Sequence, residues 1–555
     1  MSLLWQLVLL GTLVGLGLAQ DCPILGSAYP EVTNPGASGA FKAAKTPFDD
    51  ELTKALAEGT LDNSTTFAIQ VYSRHSDKLL YERYHGLSIG PQTLYRIASI
   101  SKLISIYTTM AALGEGHWDD PVTRHIPELA RLKVQNPVYD INWDEVTLGS
   151  LTSHMSGIAR DFAIGDLSPY IPPGIPGLPA LNESEQIQCG LGDRGMRPCT
   201  REESFAKIKN MRPISPTYHT PSYSNVAFQL LGYSVEKIAR TPFPSLVQNK
   251  VLKPLKMNRT FLKPVNDSNA LVFDGFDLDM GDAAPGGGYY STPSDITTLG
   301  RSILSSTLLP PATTRRWLKP ITHTARASLS IGRPWEINRL NLPVSTAPAS
   351  TVTHVVDVYT KQGSAGQYMT LIALSPDHGV GFTLFVGGPA AGKTYDLLQR
   401  RLSEVWFAAA EQAGREEGGA VYGGNYTLPD GSVAEFVLRD NEPGLFLSRL
   451  VSNGTDVLAL MGTLNGVPEG MRMGAWLYPM GLQGKGKVAF RASMGVQGLP
   501  AGEACAAWGS IDLVRYGGYS ADLFVFELGK DGGAVAVEIP VLKKTLRKEN
   551  GGRKS

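Results

Sequence analysis

The sequence predicts an α+β domain that is followed by a separate antiparallel β-domain. Strand-like runs occur near both ends of the first 413 residues, with helical segments between them. This order lets one antiparallel sheet use both ends of that part of the chain. An amphipathic helix from Thr394 to Gln412 then closes the unit. Beyond it, strand-length runs alternate with turns, which is typical of a barrel-like β-domain.

The chain has 555 residues, too many for one ordinary hydrophobic core, so several regions are expected. A linker is predicted around Glu416-Glu-Gly-Gly-Ala420, where the composition shifts. The predicted regions are a signal peptide (1–19), an N-terminal arm (20–60), the α+β domain (61–413), the linker (414–421), the β-domain (422–542) and a basic disordered tail (543–555).

The first 19 residues have the features of a secretory signal. Leu3 to Leu18 is nearly all apolar, and Gly17-x-Ala19 offers small residues for cleavage. The alternative is a membrane anchor, but the run is short for a span and is interrupted by Gln6 and Thr12. We therefore expect a secreted protein that has no membrane association after cleavage.

The cysteines agree with an oxidising compartment. An even number, four, predicts two disulfides with three possible pairings. Cys189 and Cys199 flank a glycine-rich loop, which favours a local bridge and leaves Cys22 with Cys505. Free buried thiols are the alternative, less common outside the cell. Since no C-x-x-C pair is present, a zinc site is not expected, and no other metal is implied.

Six N-x-[ST] sequons support the secretory interpretation, because such asparagines are glycosylated on the surfaces of secreted proteins. The predicted acceptors are Asn63, Asn182, Asn258, Asn266, Asn425 and Asn453.

The first half of the α+β domain begins with a strand, a turn and a strand from Thr66 to His85. An apolar helix follows Ser99 and runs to Gly114. The stretch 136–350 is irregular, with loops rich in proline and glycine. Within it, helical patterns occur at 147–151, 226–240 and 294–306.

Three strand-like runs then complete the predicted sheet: HVVDVYT, GQYMTLIAL and GVGFTLFV, which start at residues 354, 366 and 379. The turn Ser375-Pro-Asp-His-Gly379 joins the last two as a hairpin. In the β-domain, the predicted strands are SVAEFVLRD, LFLSRLV, VLALMG, KVAFRASM, DLFVFEL and AVAVEIPVL.

A serine lies three residues before a lysine at Ser99–Lys102, which places hydroxyl and amine on one helix face. Such a lysine can help to remove the serine proton. The same spacing occurs at Ser204–Lys207 and Ser234–Lys237, so the S-x-x-K pattern alone does not identify a catalytic serine. Only Ser99 opens a strongly apolar helix, whose N-terminal partial charge favours a developing alkoxide.

Tyr223-Ser224-Asn225 is the only Y-x-N sequence in the chain, and it lies just before a predicted helix. A tyrosine near cationic lysines can act as a base because their charge lowers the pKa of its hydroxyl. The alternative interpretation is an ordinary turn or helix cap.

With these residues the chain resembles the serine β-lactamase and penicillin-binding-protein superfamily, in its class C β-lactamase-like branch. The resemblance covers roughly residues 60–413 and rests on the order of the motifs. Besides the serine–lysine helix and Tyr223-x-Asn225, the motifs that carry it are Asp119–Leu129, Val146–Gly157 and Pro285–Asp295. The later β-domain resembles the lipocalin-like barrels appended to some esterase and aminopeptidase members.

The resemblance implies that Ser99 is the nucleophile, Lys102 its activating partner and Tyr223 the general base. Asn225 is expected to contact a substrate amide or to orient Lys102. The backbone N–H groups of Ser99 and Ser364 are expected to form the oxyanion hole.

The third family motif, lysine-threonine-glycine, is best matched by Lys361-Gln362-Gly363. Here glutamine replaces the small hydroxyl residue that helps to hold a substrate carboxylate in lactamases and carboxypeptidases. This departure favours an esterase or acyl-transfer role over β-lactam hydrolysis or D-Ala-D-Ala cleavage.

The sequence thus predicts a secreted serine hydrolase that forms an acyl-enzyme on an ester, lactone, lactam or small peptide. The alternatives are an acyltransferase of secondary metabolism that uses the same acyl-enzyme, and a non-catalytic protein with the same fold. No cofactor is expected, and the partner is a small-molecule acyl substrate. A nucleic-acid partner is not expected, because 51 basic residues balance 51 acidic ones.

One motif competes with this interpretation. Gly387-Gly-Pro-Ala-Ala-Gly-Lys-Thr394 satisfies the phosphate-binding pattern G-x-x-x-x-G-K-[ST]. The chain continues from it into one helix and a linker rather than into further βα units, so we interpret the motif as a turn between the last strand and the closing helix.

Overall fold

The computed structural model describes residues 23–169, 171, 174–190, 196–346, 352–497 and 507–549. Contacts divide the chain into two compact units, one formed by residues 45–339 and 357–403 and the other by the remaining residues. The predicted signal peptide and the predicted Cys22–Cys505 disulfide lie outside the described residues.

The first unit contains the predicted antiparallel sheet. The strands up to residue 387 are β1 Thr66–Ser73, β2 Tyr81–His85, β3 Tyr95–Arg96, β4 Tyr290–Ser291, β5 Thr322–His323, β6 Leu329–Ile331, β7 Glu336–Pro343, β8 Thr353–Ala365, β9 Tyr368–Ser375 and β10 Val380–Gly387. The sheet order is β2-β1-β10-β9-β8-β7-β6-β5, and β3 pairs separately with β4. Strand β1 pairs with β10 from Thr66↔Gly387 to Ser73↔Val380. One sheet therefore uses both ends of the domain, as the sequence predicts.

Helices cover this sheet and form a helical region beside it. Their bounds are α1 Gly39–Ala57, α2 Ile100–Leu113, α3 Pro127–Ala130, α4 Leu148–Thr152, α5 Arg201–Ile208, α6 Val226–Ala239, α7 Phe243–Val247, α8 Lys253–Leu255, α9 Ala284–Gly287, α10 Pro293–Leu304, α11 Pro311–Trp317 and α12 Ala391–Leu402. The next helix along the chain, α13 Ala408–Tyr422, belongs to the other unit. The helices predicted at 99–114, 147–151, 226–240 and 294–306 are α2, α4, α6 and α10.

Helix α2 runs through the hydrophobic core of the first unit. Every residue from Ile100 to Met110 is buried, so the helix contacts protein on all sides. Helix α6, buried from Val226 to Val235, belongs to the same core. A helix packed in this way holds the groups at its N-terminus rigidly.

The β-domain is a closed barrel. Its elements are β11 Gly424–Thr427, β12 Val433–Val437, β13 Leu445–Ser452, β14 Thr455–Asp456, α14 Val457–Leu464, β15 Met473–Gly484, β16 Lys487–Val496, α15 Ala507–Ser510, β17 Arg515–Tyr516, β18 Tyr519–Ser520, β19 Leu523–Leu528, β20 Ala534–Ile539 and β21 Lys544–Lys548. The order is β12-β11-β21-β20-β19-β16-β15-β13-β14, and β12 also pairs with β13. This extra pairing closes the eight antiparallel strands from β12 to β13 in this order into a barrel.

Aromatic side chains fill the barrel interior. Phe526 contacts the rings of Phe436, Phe490 and Tyr426 edge to face, at centroid distances of 5.1, 5.2 and 5.7 Å. An eight-stranded barrel is just wide enough for such a side-chain core. The barrel therefore has the packed interior of a stable domain.

Three predictions for the C-terminal part are wrong. The predicted linker 414–421 is the end of α13, because Tyr422 packs on Phe490 and Phe526 and anchors the helix in the barrel core. The tail, predicted as disordered from residue 543, forms β21, which pairs with β20. VLALMG is helix α14 instead of a strand, since Asp456 caps it by accepting the Ala459 N–H at 3.1 Å.

Three strands of the barrel have no predicted counterpart: β11, β15 and β21. The phosphate-loop pattern is a turn between β10 and α12, as predicted. Among the described residues, no helix is both long enough and apolar enough to cross a membrane.

Candidate active site

Ser99 is the N-cap residue of α2 and is partly exposed. The residue before it, Ala98, has a φ of 44°, in the left-handed region that side chains other than glycine rarely adopt. Such a conformation costs about 1–3 kcal/mol and persists only where surrounding contacts hold it. Here the Ser101 hydroxyl donates to the Ala98 carbonyl at 2.6 Å. The strained turn places Ser99 at the start of the helix, on the wall of a cavity.

Lys102 is completely buried and points to Ser99 from one turn along α2. Its Nζ donates to the Ser99 hydroxyl at 3.2 Å and to Asn225 Oδ1 at 2.6 Å. A third hydrogen bond goes to the Gly286 carbonyl. Burial lowers the pKa of the Lys102 ammonium, and the charge of Lys361 adds to this, against the opposite effect of Tyr223. A lysine with a lowered pKa gives up its proton more readily and can help to deprotonate serine.

The Tyr223 hydroxyl donates to the Ser99 hydroxyl at 2.7 Å. Burial raises the pKa of Tyr223, but the charges of Lys361 and Lys102 outweigh it, so that the pKa falls to about 8. Lys102 Nζ lies 4.8 Å and Lys361 Nζ 5.4 Å from the centroid of the tyrosine ring. Near neutral pH a fraction of Tyr223 is therefore ionised and able to accept the Ser99 proton.

Lys361 is 1% exposed and is held by Glu336, whose Oε1 lies 2.5 Å from its Nζ. Burial lowers the pKa of Lys361, but Glu336 and Tyr223 outweigh it and raise the pKa above the usual value. Glu336 also accepts the Gln362 N–H at 3.0 Å. A charged lysine is thereby kept beside Tyr223.

Gly363 lies on β8 where the strand passes the residues before α2. A Cβ there would lie 2.2 Å from the Ile97 carbonyl oxygen and 2.4 Å from Thr370 Oγ1, so only glycine allows this approach. The next residue, Ser364, lines the same cavity as Ser99. Both predicted oxyanion donors thus face one cavity, and their role remains a prediction.

The cavity beside Ser99 has a volume of about 820 Å³, large enough for a drug-sized molecule. Phe273, Phe276 and Met280 supply part of its apolar lining, and Asp274 and Asp277 lie at its wall. A second cavity of about 610 Å³ is lined by Tyr223, three histidines and three threonines: His154, His219, His323, Thr220, Thr322 and Thr324. Ser99 and Tyr223, whose hydroxyl groups are in contact, thus each line a cavity.

His154 packs on Tyr223 with 4.2 Å between ring centroids. Its Nδ1 accepts the Ser224 N–H at 3.2 Å. Burial, with the charges of Lys102 and Lys361, lowers the pKa of His154 well below its usual value. The imidazole is neutral and contacts the face of the tyrosine ring, which fits a structural role.

The structure thus brings together Ser99, Lys102, Tyr223, Asn225 and Lys361, as the sequence predicts. Glu336, Asp161 and the Gly286 carbonyl also contact these residues and are not predicted from the sequence. Asp161 accepts a hydrogen bond from Asn225, and Glu336 binds Lys361. Nothing local in the sequence marks these acids, because they meet the site only through the fold.

A group with metal-binding side chains lies outside the cavity of Ser99. Asp120 Oδ2 is 2.8 Å from His117 Nδ1 and 3.0 Å from His125 Nε2. Arg124 bonds the other carboxylate oxygen. Hydrogen bonds and this ion pair satisfy the carboxylate, so the group is explained without a metal, and the absence of a metal site stays a prediction.

Two further predictions concern the surface of the chain. Cys189 and Cys199 form the predicted disulfide. All six predicted glycosylation acceptors are exposed: Asn63, Asn182, Asn258, Asn266, Asn425 and Asn453. Exposure is what an acceptor requires, and glycosylation itself remains a prediction.

Comparison with known proteins agrees with the predicted family. A family model described as "Beta-lactamase" matches residues 54–403, which is more than half of the chain. The chain belongs to the β-lactamase family. A second model, "Beta-lactamase-like-like, C-terminal domain", matches residues 414–550. The barrel of this β-lactamase-family protein is therefore a domain that recurs in related proteins.

Several curated fungal proteins are similar over most of their length. The "Beta-lactamase-like protein" of Arthroderma benhamiae is 27% identical over 95% of each chain. The "Probable hydrolase clz13" of Cochliobolus lunatus is 26% identical over 89% of this chain and 87% of its own. The "Probable hydrolase M10" of a Phoma species is 27% identical, over 72% and 68% respectively.

Among solved structures, a D-stereospecific amidohydrolase from Streptomyces is 20% identical, with a TM-score of 0.47 over 63% of this chain and 96% of its own. A penicillin-binding-protein homologue from Pyrococcus abyssi is 16% identical, with a TM-score of 0.46 over 90% and 99%. At these scores the likeness carries no information about the substrate of this β-lactamase-family protein.

Proposed function

We propose that the chain is a secreted serine hydrolase that forms an acyl-enzyme at Ser99. The observation that carries the proposal is that the side chains of Tyr223 and Lys102 both form hydrogen bonds with the Ser99 hydroxyl. Ser99 Oγ lies 2.7 Å from Tyr223 Oη and 3.2 Å from Lys102 Nζ. A serine whose proton can pass to a base becomes a nucleophile.

In the first step, Ser99 Oγ attacks the substrate carbonyl while its proton passes to ionised Tyr223. The new C–O bond gives a tetrahedral oxyanion, which the N–H groups of Ser99 and Ser364 would stabilise. The oxyanion then collapses, the bond to the leaving group breaks, and Tyr223 returns the proton to that group. Water attacks the acyl-enzyme by the same route, since Tyr223 can again accept and return a proton.

The substrate class is an ester, lactone, lactam or small peptide that fits the cavity of about 820 Å³. Gln362 favours an ester over a β-lactam. A residue with a small hydroxyl group at this position would help to hold a substrate carboxylate, and glutamine has no such group. An ester without that carboxylate loses nothing by the replacement. Secretion is supported by the apolar N-terminal segment and by the exposed sequons.

The test is a covalent adduct. We would incubate the full chain with a p-nitrophenyl ester and with a β-lactam probe, and locate the acyl group by mass spectrometry. Ser99 should carry the adduct, and Ser99→Ala should abolish both adduct and turnover. Ser234→Ala is the matched control, because Ser234 has the same spacing to a lysine but bonds the Leu230 carbonyl at 2.9 Å. If the wild type forms no adduct and does not turn over the ester, the proposal that the chain is a serine hydrolase is wrong.

Acyl transfer is the second candidate, and one observation favours it. Tyr223 lines a cavity of about 610 Å³, and its hydroxyl contacts Ser99, which lines the other cavity. An alcohol held in the cavity that Tyr223 lines would pass its proton to Tyr223 as its oxygen attacks the acyl carbon in place of water. The bond to Ser99 Oγ would then break, and Tyr223 would return the proton to that oxygen. Adding an alcohol acceptor during ester turnover should then yield the transferred ester. If the products are the same with and without the alcohol, acyl transfer is excluded and hydrolysis remains as the proposed reaction.

A further inference from the structure

Asp161 is a buried acid that is linked to the nucleophile through two other side chains. Its side chain is 6% exposed. Asp161 Oδ2 accepts a hydrogen bond from Asn225 Nδ2 at 2.8 Å, and Asn225 Oδ1 accepts from Lys102 Nζ at 2.6 Å. Lys102 in turn donates to the Ser99 hydroxyl at 3.2 Å. The four residues form one continuous chain of hydrogen bonds.

The charges at the two ends determine how the amide of Asn225 is oriented. An ionised carboxylate only accepts hydrogen bonds, and an ammonium only donates them. The amide between them must therefore turn its NH₂ group to Asp161 and its oxygen to Lys102. The opposite orientation would face the carboxylate with an oxygen and the ammonium with hydrogens, and would lose both bonds.

Protonation of Asp161 removes this constraint. A neutral carboxyl group can donate its proton to the amide oxygen, which then no longer faces Lys102. The NH₂ group would meet the ammonium, and one of the three hydrogen bonds that fix Lys102 would be lost. The remaining ones go to Ser99 and to the Gly286 carbonyl. Lys102 would be less firmly held against the nucleophile.

Two cationic side chains lie near Asp161, one on helix α2 and one in the loop that contains Asp161. Lys102 belongs to α2, and Arg160, whose Nε lies 3.8 Å from Asp161 Oδ2, is the preceding residue. Burial raises the pKa of Asp161, and the hydrogen bond from Asn225 and the two cations only partly oppose this, so that the pKa is about 6. Asp161 can therefore change its charge at mildly acidic pH.

We propose that Asp161 is a positioning residue that acts through Asn225 to hold Lys102 against Ser99, and that its protonation lowers the acylation rate at mildly acidic pH. This inference rests on the proposed function, because it concerns the activation of Ser99. It adds a residue to the site and a pH dependence that the serine, lysine and tyrosine alone do not have.

The test compares pH profiles of kcat/KM for a p-nitrophenyl ester between pH 4.5 and 9. In the wild type, log kcat/KM should rise with pH as Tyr223 ionises, and should fall more steeply below pH 6, where Asp161 takes up a proton. Asp161→Asn should lose this extra fall near pH 6. It should also be slower at pH 7.5 by roughly 10-fold or more, which is the usual effect of losing a hydrogen bond to a charged group.

Asp166→Asn is the matched control, since Asp166 lies in the same loop, and its carboxylate accepts a local bond from the Ser168 N–H at 2.8 Å. Its profile should equal that of the wild type. If Asp161→Asn does not fold, the rate of labelling of wild-type Ser99 by the ester at closely spaced pH values from 4.5 to 7.5 replaces it, because only the steeper fall below pH 6 distinguishes Asp161 from Tyr223. Circular dichroism at each pH shows whether the fold is intact. A wild-type profile without the steeper fall, or an Asp161→Asn profile that retains it, would overturn the inference. A wild type that is not acylated at any pH would instead overturn the proposed function.

Discussion

Replacing Lys361 by methionine should move the alkaline part of the pH profile to higher pH. Lys361 is the largest source of the charge that lowers the pKa of Tyr223 to about 8, against the effect of burial. Its Nζ lies 5.4 Å from the centroid of the Tyr223 ring. At an effective dielectric constant of about 20, two unit charges at this separation interact by about 3 kcal/mol. This energy corresponds to about a hundredfold in the ionisation of Tyr223.

The sign follows from the proposed role of Tyr223 as a base. Only the ionised tyrosine accepts the proton of Ser99, so the activity of the wild type should rise with pH up to about 8. Without Lys361 the phenolate is less stable and forms at higher pH. At pH 7, Lys361→Met should therefore have a kcat/KM about a hundredfold lower, and raising the pH should restore much of it.

The assay is ester hydrolysis from pH 6 to 10, with thermal unfolding as a check that the variant is folded. Lys319→Met serves as the matched control, because the Lys319 side chain is exposed and does not line either cavity at the site. A loss that is equally large at every pH would refute the reasoning, since Lys361 would then bind substrate without acting on Tyr223. An unchanged rate at pH 7 would refute it as well.

Three other outcomes are expected. Gln362→Thr should increase the rate of acylation by a β-lactam relative to an ester by roughly 10-fold, because threonine adds one hydrogen bond to the substrate carboxylate. A competition assay that gives the same ratio of β-lactam to ester acylation in the variant and the wild type would contradict this. Gly363→Ala should destabilise the fold by about 1–3 kcal/mol, because its Cβ would clash with the Ile97 carbonyl oxygen. Gly392→Ala, a helix position with open space around its Cβ, should be neutral or more stable in the same thermal unfolding experiment. Protein secreted from a eukaryotic host should lose mass on treatment with an N-glycosidase, and no mass change would count against glycosylation of the six sequons.

The sequence determined the parts of the site that depend on local spacing. Ser99 and Lys102 share a helix face because they are three residues apart, and the apolar residues after Ser99 predict the buried helix α2. Tyr223-x-Asn225 precedes α6 as expected. The resemblance to a known family placed Lys361-Gln362-Gly363 on a strand beside them, and β8 contains all three.

Only the tertiary structure decided which acids complete the site. Asp161 and Asn225 are 64 residues apart, and Glu336 and Lys361 are 25 apart. Neither acid belongs to a motif, so no pattern distinguishes it from an ordinary surface carboxylate. The shifts in the pKa values of Asp161 and Tyr223 also come from burial and from charges on other elements, which the sequence does not contain.

The same distinction explains the errors in the barrel. Local composition made residues 414–421 a linker and residues after 543 a disordered tail. Long-range contacts override it, because Tyr422 finds an aromatic core and Lys544–Lys548 finds the free edge of β20. The sequence by itself determined the pairing of Ser99 with Lys102 on one helix and the order of the elements in the first unit, since these depend on neighbours along the chain. The fold decided the partners of the lysines and the closure of the barrel, since these depend on residues that meet only in space.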